Sequence, residues 1–209
     1  MELVPGTDDV QPTDPGVKLT YDDFVHFPDD GQRHELIDGE HYVTPSPNIP
    51  HQRISATLVG LIWSYLQDHP VGEVFAAPLD VVFTRYDVVE PDLLYVSKER
   101  AASVLTKLHV RGTPELVVEI GSPSTRRRDE TIKRRLYERE GVSEYWVVGS
   151  EVDRVRVYRR GPASGGFGPA LELALERGDV LETPLLPGLL MPLTRLGLTD
   201  HPARRPGVR

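Results

Sequence analysis

Leu-Val-Val-Glu-Ile-Gly, residues 116–121, reads as a β-strand that carries one carboxylate among apolar residues. Alternate side chains of a strand share a face, so Leu116, Val118 and Ile120 point one way and Val117, Glu119 and Gly121 the other. A carboxylate among Leu, Val and Ile is costly to bury unless it is paired or binds a cation. Asp92 is its neighbour in kind, opening the strand Pro-Asp-Leu-Leu-Tyr-Val (91–96) after a proline that sets the entry. Two carboxylates at the ends of adjacent strands make a hard-cation site, because magnesium takes oxygen ligands and keeps several waters. The plainer alternative is that Glu119 pairs with an arginine and Asp92 caps a turn.

Downstream, Arg128–Glu140 reads as an amphipathic helix closed by Gly141. Asp129, Lys133 and Tyr137 recur at helical spacing on its polar side, with Ile132 and Leu136 on the apolar side. Eight residues separate Glu119 from the helix, few enough for Lys133 to reach back over the strand end. A lysine beside metal-bound carboxylates orients or polarises an attacking water and offsets charge at a phosphoryl centre. Taken alone, Asp129 and Lys133 also fit a solvated i,i+4 ion pair.

The remaining elements complete an α+β pattern with a central mixed sheet flanked by helices. Thr20–Phe27 reads as a short helix with Thr20 as N-cap. Residues 33–37 and 40–43 form a β-hairpin about Asp38–Gly39, a strong type I′ turn signal. His51–Asp68 is an amphipathic helix. Strands are expected at Glu73–Ala76, Leu79–Thr84, Glu144–Val148 and Val152–Arg159, with weaker ones at Leu171–Leu175 and Val180–Leu185. Residues 1–17 read as a flexible acidic arm, 18–195 as the folded domain and 196–209 as a basic tail.

The 209 residues hold 32 acidic and 24 basic side chains, a net charge of −8, which argues against a nonspecific nucleic-acid coat. The distribution is uneven: residues 126–139 carry seven cations against three anions. The absence of cysteine excludes a disulfide scaffold, zinc–cysteine sites, iron–sulfur clusters and thiol catalysis. No apolar run approaches the ~18 residues of a membrane helix, and the first residues lack the pattern of a signal peptide. A cytoplasmic protein is expected. Neither a Gly-rich dinucleotide loop nor a P-loop is present, so a small-molecule enzyme finds no support.

The Pro-Asp strand, the Val-Val-Glu-Ile strand with Ser-Pro-Ser-Thr after it, Asp129…Lys133…Tyr137, and Gly-Val-Ser-Glu-Tyr-Trp-Val-Val (141–148) together resemble the Uma family of restriction endonucleases. The resemblance also takes in Glu-Leu-Ile-Asp-Gly-Glu (35–40), His51 and Pro-Leu-Asp-Val-Val (78–82), spanning roughly residues 18 to 195. It implies the PD-(D/E)XK nuclease core, a restriction-endonuclease-like fold, and hydrolysis of DNA phosphodiesters with magnesium or manganese. Asp92 and Glu119 match the motif's two acids and are the implied metal ligands. The strict motif has its lysine two residues after the glutamate, where this chain has Gly121, and Lys133 matches the family's helical lysine. Glu35 matches an acid such nucleases supply from an N-terminal element; a cross-strand pair in the hairpin is its structural alternative. For His51 a helix-start role is expected ahead of a DNA-facing one, and Asp80 is expected to point toward the same cleft.

The loop Ser-Pro-Ser-Thr (122–125) runs into a basic segment, and Arg126, Arg127, Arg128, Arg134 and Arg135 are expected to contact the DNA backbone. A homodimer is expected, since a C₂ pair cuts both strands, with Glu144–Gly149 and the following Val-Arg-Val-Tyr strand (155–158) as its apolar edge or face. The alternative function is a DNA-binding or dimerising module of the same fold without turnover.

Overall fold

The computed structural model describes residues 17–44, 46–121, 128–150, 153–161 and 165–197. The chain begins with a short helix α1 (Tyr21–Phe24), hairpin strands β1 (Arg33–Ile37) and β2 (Glu40–Thr44), and a long helix α2 (Ile49–Asp68). Strands β3 (Gly72–Ala76), β4 (Val81–Thr84), β5 (Asp87–Val89) and β6 (Leu93–Ser97) follow, then helix α3 (Lys98–Val104) and strands β7 (Val110–Arg111) and β8 (Leu116–Gly121). A π-helical turn, Asp129–Lys133, runs into helix α4 (Arg134–Arg139). Strands β9 (Glu144–Gly149), β10 (Arg154–Arg159), β11 (Leu171–Ala174), β12 (Val180–Leu181) and β13 (Met191–Pro192) complete the fold.

The architecture is α+β with mixed sheets flanked by helices, as the sequence pattern predicts. The strands divide, however, into a six-stranded sheet, β11-β10-β9-β8-β6-β3, a five-stranded sheet, β2-β1-β5-β4-β7, and the pair β12-β13. The division arises because the β4–β5 hairpin pairs with β1 and β7 instead of extending the main sheet. The expected N-terminal hairpin is present, with Asp38 (φ 53°) and Gly39 (φ 77°) both in the left-handed region that a type I′ turn requires.

Helix α2 lays Ile54, Leu58, Ile62 and Leu66 on one face of the six-stranded sheet, against Leu93, Leu116, Val118 and Trp146. Its start is fixed by Asn48, whose side chain accepts the His51 amide, with Pro50 in the first turn. The opposite sheet face packs Val117, Tyr145 and Val147 against Leu136 and Tyr137 of α4 and against Ile37, Val81 and Val89 of the five-stranded sheet. Glu119 lies on this second face, in the layer between the sheets.

Three expectations are corrected. The segment 128–140 is not a uniform α-helix; its first turn is π-helical, a local widening often found at functional sites. Glu144–Gly149 is not an available edge: β9 is bonded to β8 on one side and β10 on the other, and Glu144–Val148 are buried. The strand after it is covered in turn by β11. Arg126, Arg127 and Ser-Pro-Ser-Thr (122–125), residues 1–16 of the expected arm and 198–209 of the expected tail lie outside the described residues.

Candidate active site

β6 and β8 are antiparallel neighbours with Leu93 opposite Val118, so extending the register by one residue sets Asp92 beside Glu119. The Ile120 amide donates to Asp92 Oδ2 at 2.7 Å, tying the start of one strand to the end of the other. Both carboxylates are buried.

Asp92 is held from two further directions. Arg33 Nη1 of β1 is 2.6 Å from Oδ1, and the same guanidinium reaches Glu90 Oε1 at 2.8 Å through Nε. His51 Nε2, from the first turn of α2, is 3.0 Å from Oδ2. Burial by itself raises the Asp92 carboxyl, but the His51 hydrogen bond and the His51 and Arg33 charges hold it below its usual range.

Lys133 is 2% exposed, with Nζ 2.8 Å from Glu35 Oε1 and 3.0 Å from Glu119 Oε1. The solvated-pair alternative for this lysine is thereby overturned. Tyr137, one turn further on, donates its hydroxyl to Glu119 Oε1 at 2.5 Å. Glu35 Oε1 also accepts the Glu90 amide at 3.0 Å, while Oε2 is 3.9 Å from Arg128 Nη2.

One ammonium thus serves two buried carboxylates. Burial pushes Glu119 up to about 8: Lys133 opposes the rise, and Asp92, Asp129 and Glu35 add to it. Glu35 falls the other way, because Lys133 and Arg128 outweigh its burial and hold it below the usual range. Burial would lower Lys133, but Glu119, Glu35 and Asp129 hold its ammonium well above the usual value, so it is charged at neutral pH.

The family resemblance implies a divalent ion, and the carboxylates decide whether one would fit. No three His, Cys, Asp or Glu side chains among the described residues converge to hold an ion. Glu119 Oε2 makes no hydrogen bond among them, and Asp92 Oδ1 has a single side-chain partner, Arg33. An ionised carboxylate has about four acceptor sites, so capacity remains on both acids. Two carboxylates with water in the other positions fit magnesium, which keeps much of its hydration.

Asp92, Glu119, Lys133 and Glu35 therefore come together. Asp80 is partly buried, and burial, with Glu35 adding to it, raises its carboxyl; it lies within electrostatic reach of Glu35. The expected DNA-facing arginines divide. Arg128 turns inward, donating to Thr44 Oγ1 at 2.6 Å and approaching Glu35. Arg134 pairs with Glu138 and lies over the Tyr158 ring. Arg135 is exposed.

Nothing local in the sequence marks Arg33 or Glu90 by itself as a site residue, the position of His51 fits a helix start, and the spacing of Tyr137 fits a polar stripe. The alternation of Arg33 and Glu35 along β1 was a usable signal, since i and i+2 share a face. The contact of His51 with Asp92 had no local signal.

Buried strand-end carboxylates with a helical lysine, on mixed sheets flanked by helices, define a protein of the restriction-endonuclease-like class. The Uma2 family model, described as "Putative restriction endonuclease", matches residues 21–194, and the chain belongs to that family. A crystal structure described as a "putative nuclease" from Anabaena variabilis is similar in fold, with a TM-score of 0.71 and 20% identity. That likeness covers 86% of this chain and 99% of that one. No curated protein matches the chain. Among the described residues, no helix is long and apolar enough to cross a membrane.

Proposed function

We propose that the protein is a metal-dependent DNA endonuclease of the restriction type, hydrolysing phosphodiester bonds. The observation that carries this reading is Lys133 Nζ within 3.0 Å of Glu119, beside the strand end where Gly121 lacks the side chain of the strict motif. The active centre needs the ammonium at that location, and which element delivers it is immaterial.

Asp92 and Glu119 would hold magnesium, or manganese in its place. The bound ion supplies a water of lowered pKa and polarises the phosphodiester. Arg33 and His51 orient Asp92, and Tyr137 orients Glu119. Lys133 offsets negative charge developing on the phosphoryl oxygens, and Glu35 holds Lys133 in place. Arg135, with Arg126 and Arg127 of the preceding segment, contacts the DNA backbone. A C₂ pair of chains, working in the cytoplasm, cuts both strands.

A second reading is a DNA-binding or dimerising module without turnover. It is favoured by one observation: both oxygens of Asp92 are engaged by protein donors. Incubating the protein with assorted DNA substrates and magnesium or manganese, beside a Glu119→Ala control, separates the two. Metal-dependent cleavage lost in the control supports the nuclease; DNA retention without cleavage supports the module.

A further inference from the structure

His34 and His41 lie across the hairpin on adjacent strands, away from the candidate active site. Arg33 and Glu35 flank His34 in β1, so strand alternation directs its side chain to the opposite face. His34 Nδ1 is 2.9 Å from His41 Nε2. The rings are nearly parallel, 14° apart, with centroids 5.2 Å from each other. That separation is close to the nitrogen distance plus one ring radius at each end, so the two nitrogens meet head-on.

The far side of His34 is fixed. Its Nε2 is 3.0 Å from Asp30 Oδ1, and Asp30 is held by the Gln32 amide at 2.9 Å and the Gln32 side chain at 3.0 Å. The Asp30 carboxylate places the His34 proton on Nε2 and leaves Nδ1 as a lone pair aimed at His41. A carboxylate behind an imidazole is the arrangement that orients histidine ligands in metal sites. Phe27 packs on both rings, with centroids 4.5 Å from His41 and 5.6 Å from His34.

We propose that His34 and His41 form a binding site for a borderline divalent transition-metal ion of the zinc, nickel or copper kind. Imidazole nitrogen suits these ions, where a carboxylate set suits magnesium. The ion takes the place of the proton the two rings share, and His41 then carries its own proton on Nδ1. At metal–nitrogen distances of about 2.0–2.1 Å, two tetrahedral ligands stand roughly 3.3 Å apart. The rings must part by a few tenths of an ångström and each pivot by roughly 35° about its nitrogen, so that the two lone pairs converge on a tetrahedral ion; β2, which carries His41, is an edge strand of its sheet and free to follow. Water fills the other positions. The ion staples β1 to β2, and so braces the strand that presents Arg33 and Glu35 on its other face.

Calorimetric titration of the full chain with nickel chloride, with magnesium in excess, tests the site without reference to cleavage. One equivalent is expected to bind, and His34→Ala and His41→Gln are each expected to weaken it at least tenfold. Asp30→Asn leaves both ligands in place and is expected to weaken it about tenfold, which keeps the test decisive if either histidine variant fails to fold. Glu119→Gln is expected to leave nickel binding unchanged. Copper(II) bound to the parent should show two nitrogen ligands by electron paramagnetic resonance. No equivalent bound, or binding that survives the Asp30 substitution and either folded histidine variant, overturns the proposal.

Discussion

Lys133 lies fourteen residues beyond Glu119 in the chain, and its Nζ sits 3.0 Å from Glu119 Oε1. The same ammonium is 2.8 Å from Glu35 of the hairpin. A helix, a central strand and the N-terminal hairpin therefore converge on one cation, which joins the two main sheets where the chemistry is proposed to occur.

Removing that cation leaves two buried carboxylates without the ammonium they share, with only Tyr137 on Glu119 and the Glu90 amide and Arg128 on Glu35 among the described residues. Lys133→Met is expected to cost about 3–5 kcal/mol of folding stability, the usual penalty for breaking one side of a buried pair. Urea unfolding measures it. A loss under about 1 kcal/mol would show that the pair behaves as a solvent-exposed one.

The Tyr137 hydroxyl donates to Glu119 at 2.5 Å from a fully buried ring. Tyr137→Phe keeps the ring packing and removes the hydrogen bond to Glu119, worth about 0.5–1.5 kcal/mol while that carboxyl is protonated and more once it is ionised. The same variant is expected to weaken divalent-ion binding, because Oε1 is then held by Lys133 alone and the carboxylate can rotate. Stability and ion affinity both matching the parent would show that the hydroxyl does not orient Glu119.

Burial raises Glu119 to about 8, so the folded state binds this proton more tightly than the unfolded chain does. The resulting stability is complete below about pH 4.3 and is lost as the pH rises toward about 8. Against a Glu119→Gln reference, the parent without metal is expected to lose up to about 1.4 kcal/mol per pH unit in that window. Divalent-ion affinity runs the opposite way, rising with pH as the competing proton leaves. Stability curves of parent and variant that stay parallel across the window would contradict the raised value.

Arg135 is the exposed member of the cationic pair on α4, whereas Arg134 is already engaged by Glu138 and Tyr158. Arg135→Ala is therefore expected to reduce the salt dependence of DNA binding by about one unit of slope, and Arg134→Ala by less. Titrations at several salt concentrations decide it. Equal effects of the two substitutions would place both on the DNA.

The residues legible in sequence were those whose chemistry clashes with their local pattern. Glu119 stands out because a carboxylate in Leu-Val-Val-Glu-Ile is expensive to bury, and Lys133 because it is the sole lysine after Lys107 in an arginine-rich chain. The hairpin was legible because Asp38–Gly39 imposes a local backbone geometry. Arg33 and His51 escaped for the converse reason: their contacts with Asp92 join elements far apart in the chain, and no spacing encodes that. The π-helical turn was hidden because a widened turn leaves the apolar periodicity of Ile132 and Leu136 nearly intact. The division into two sheets was hidden as well, since strand order depends on which edges pair and not on alternation within any strand.

The central claim is that Lys133 supplies the ammonium of a metal-assisted phosphodiester site. It is tested most directly by single-turnover cleavage of DNA with magnesium or manganese, comparing the parent, Lys133→Ala, Lys133→Arg and Glu119→Ala, each confirmed to be folded. The expected result is cleavage by the parent, loss of activity in Glu119→Ala, and a rate reduced on the order of 10²-fold in Lys133→Ala. Lys133→Arg should also be slow, since a planar fork does not replace a compact point charge. Cleavage by Lys133→Ala at the parent's rate, while Glu119→Ala is dead, would contradict the claim and leave the lysine a structural counter-ion.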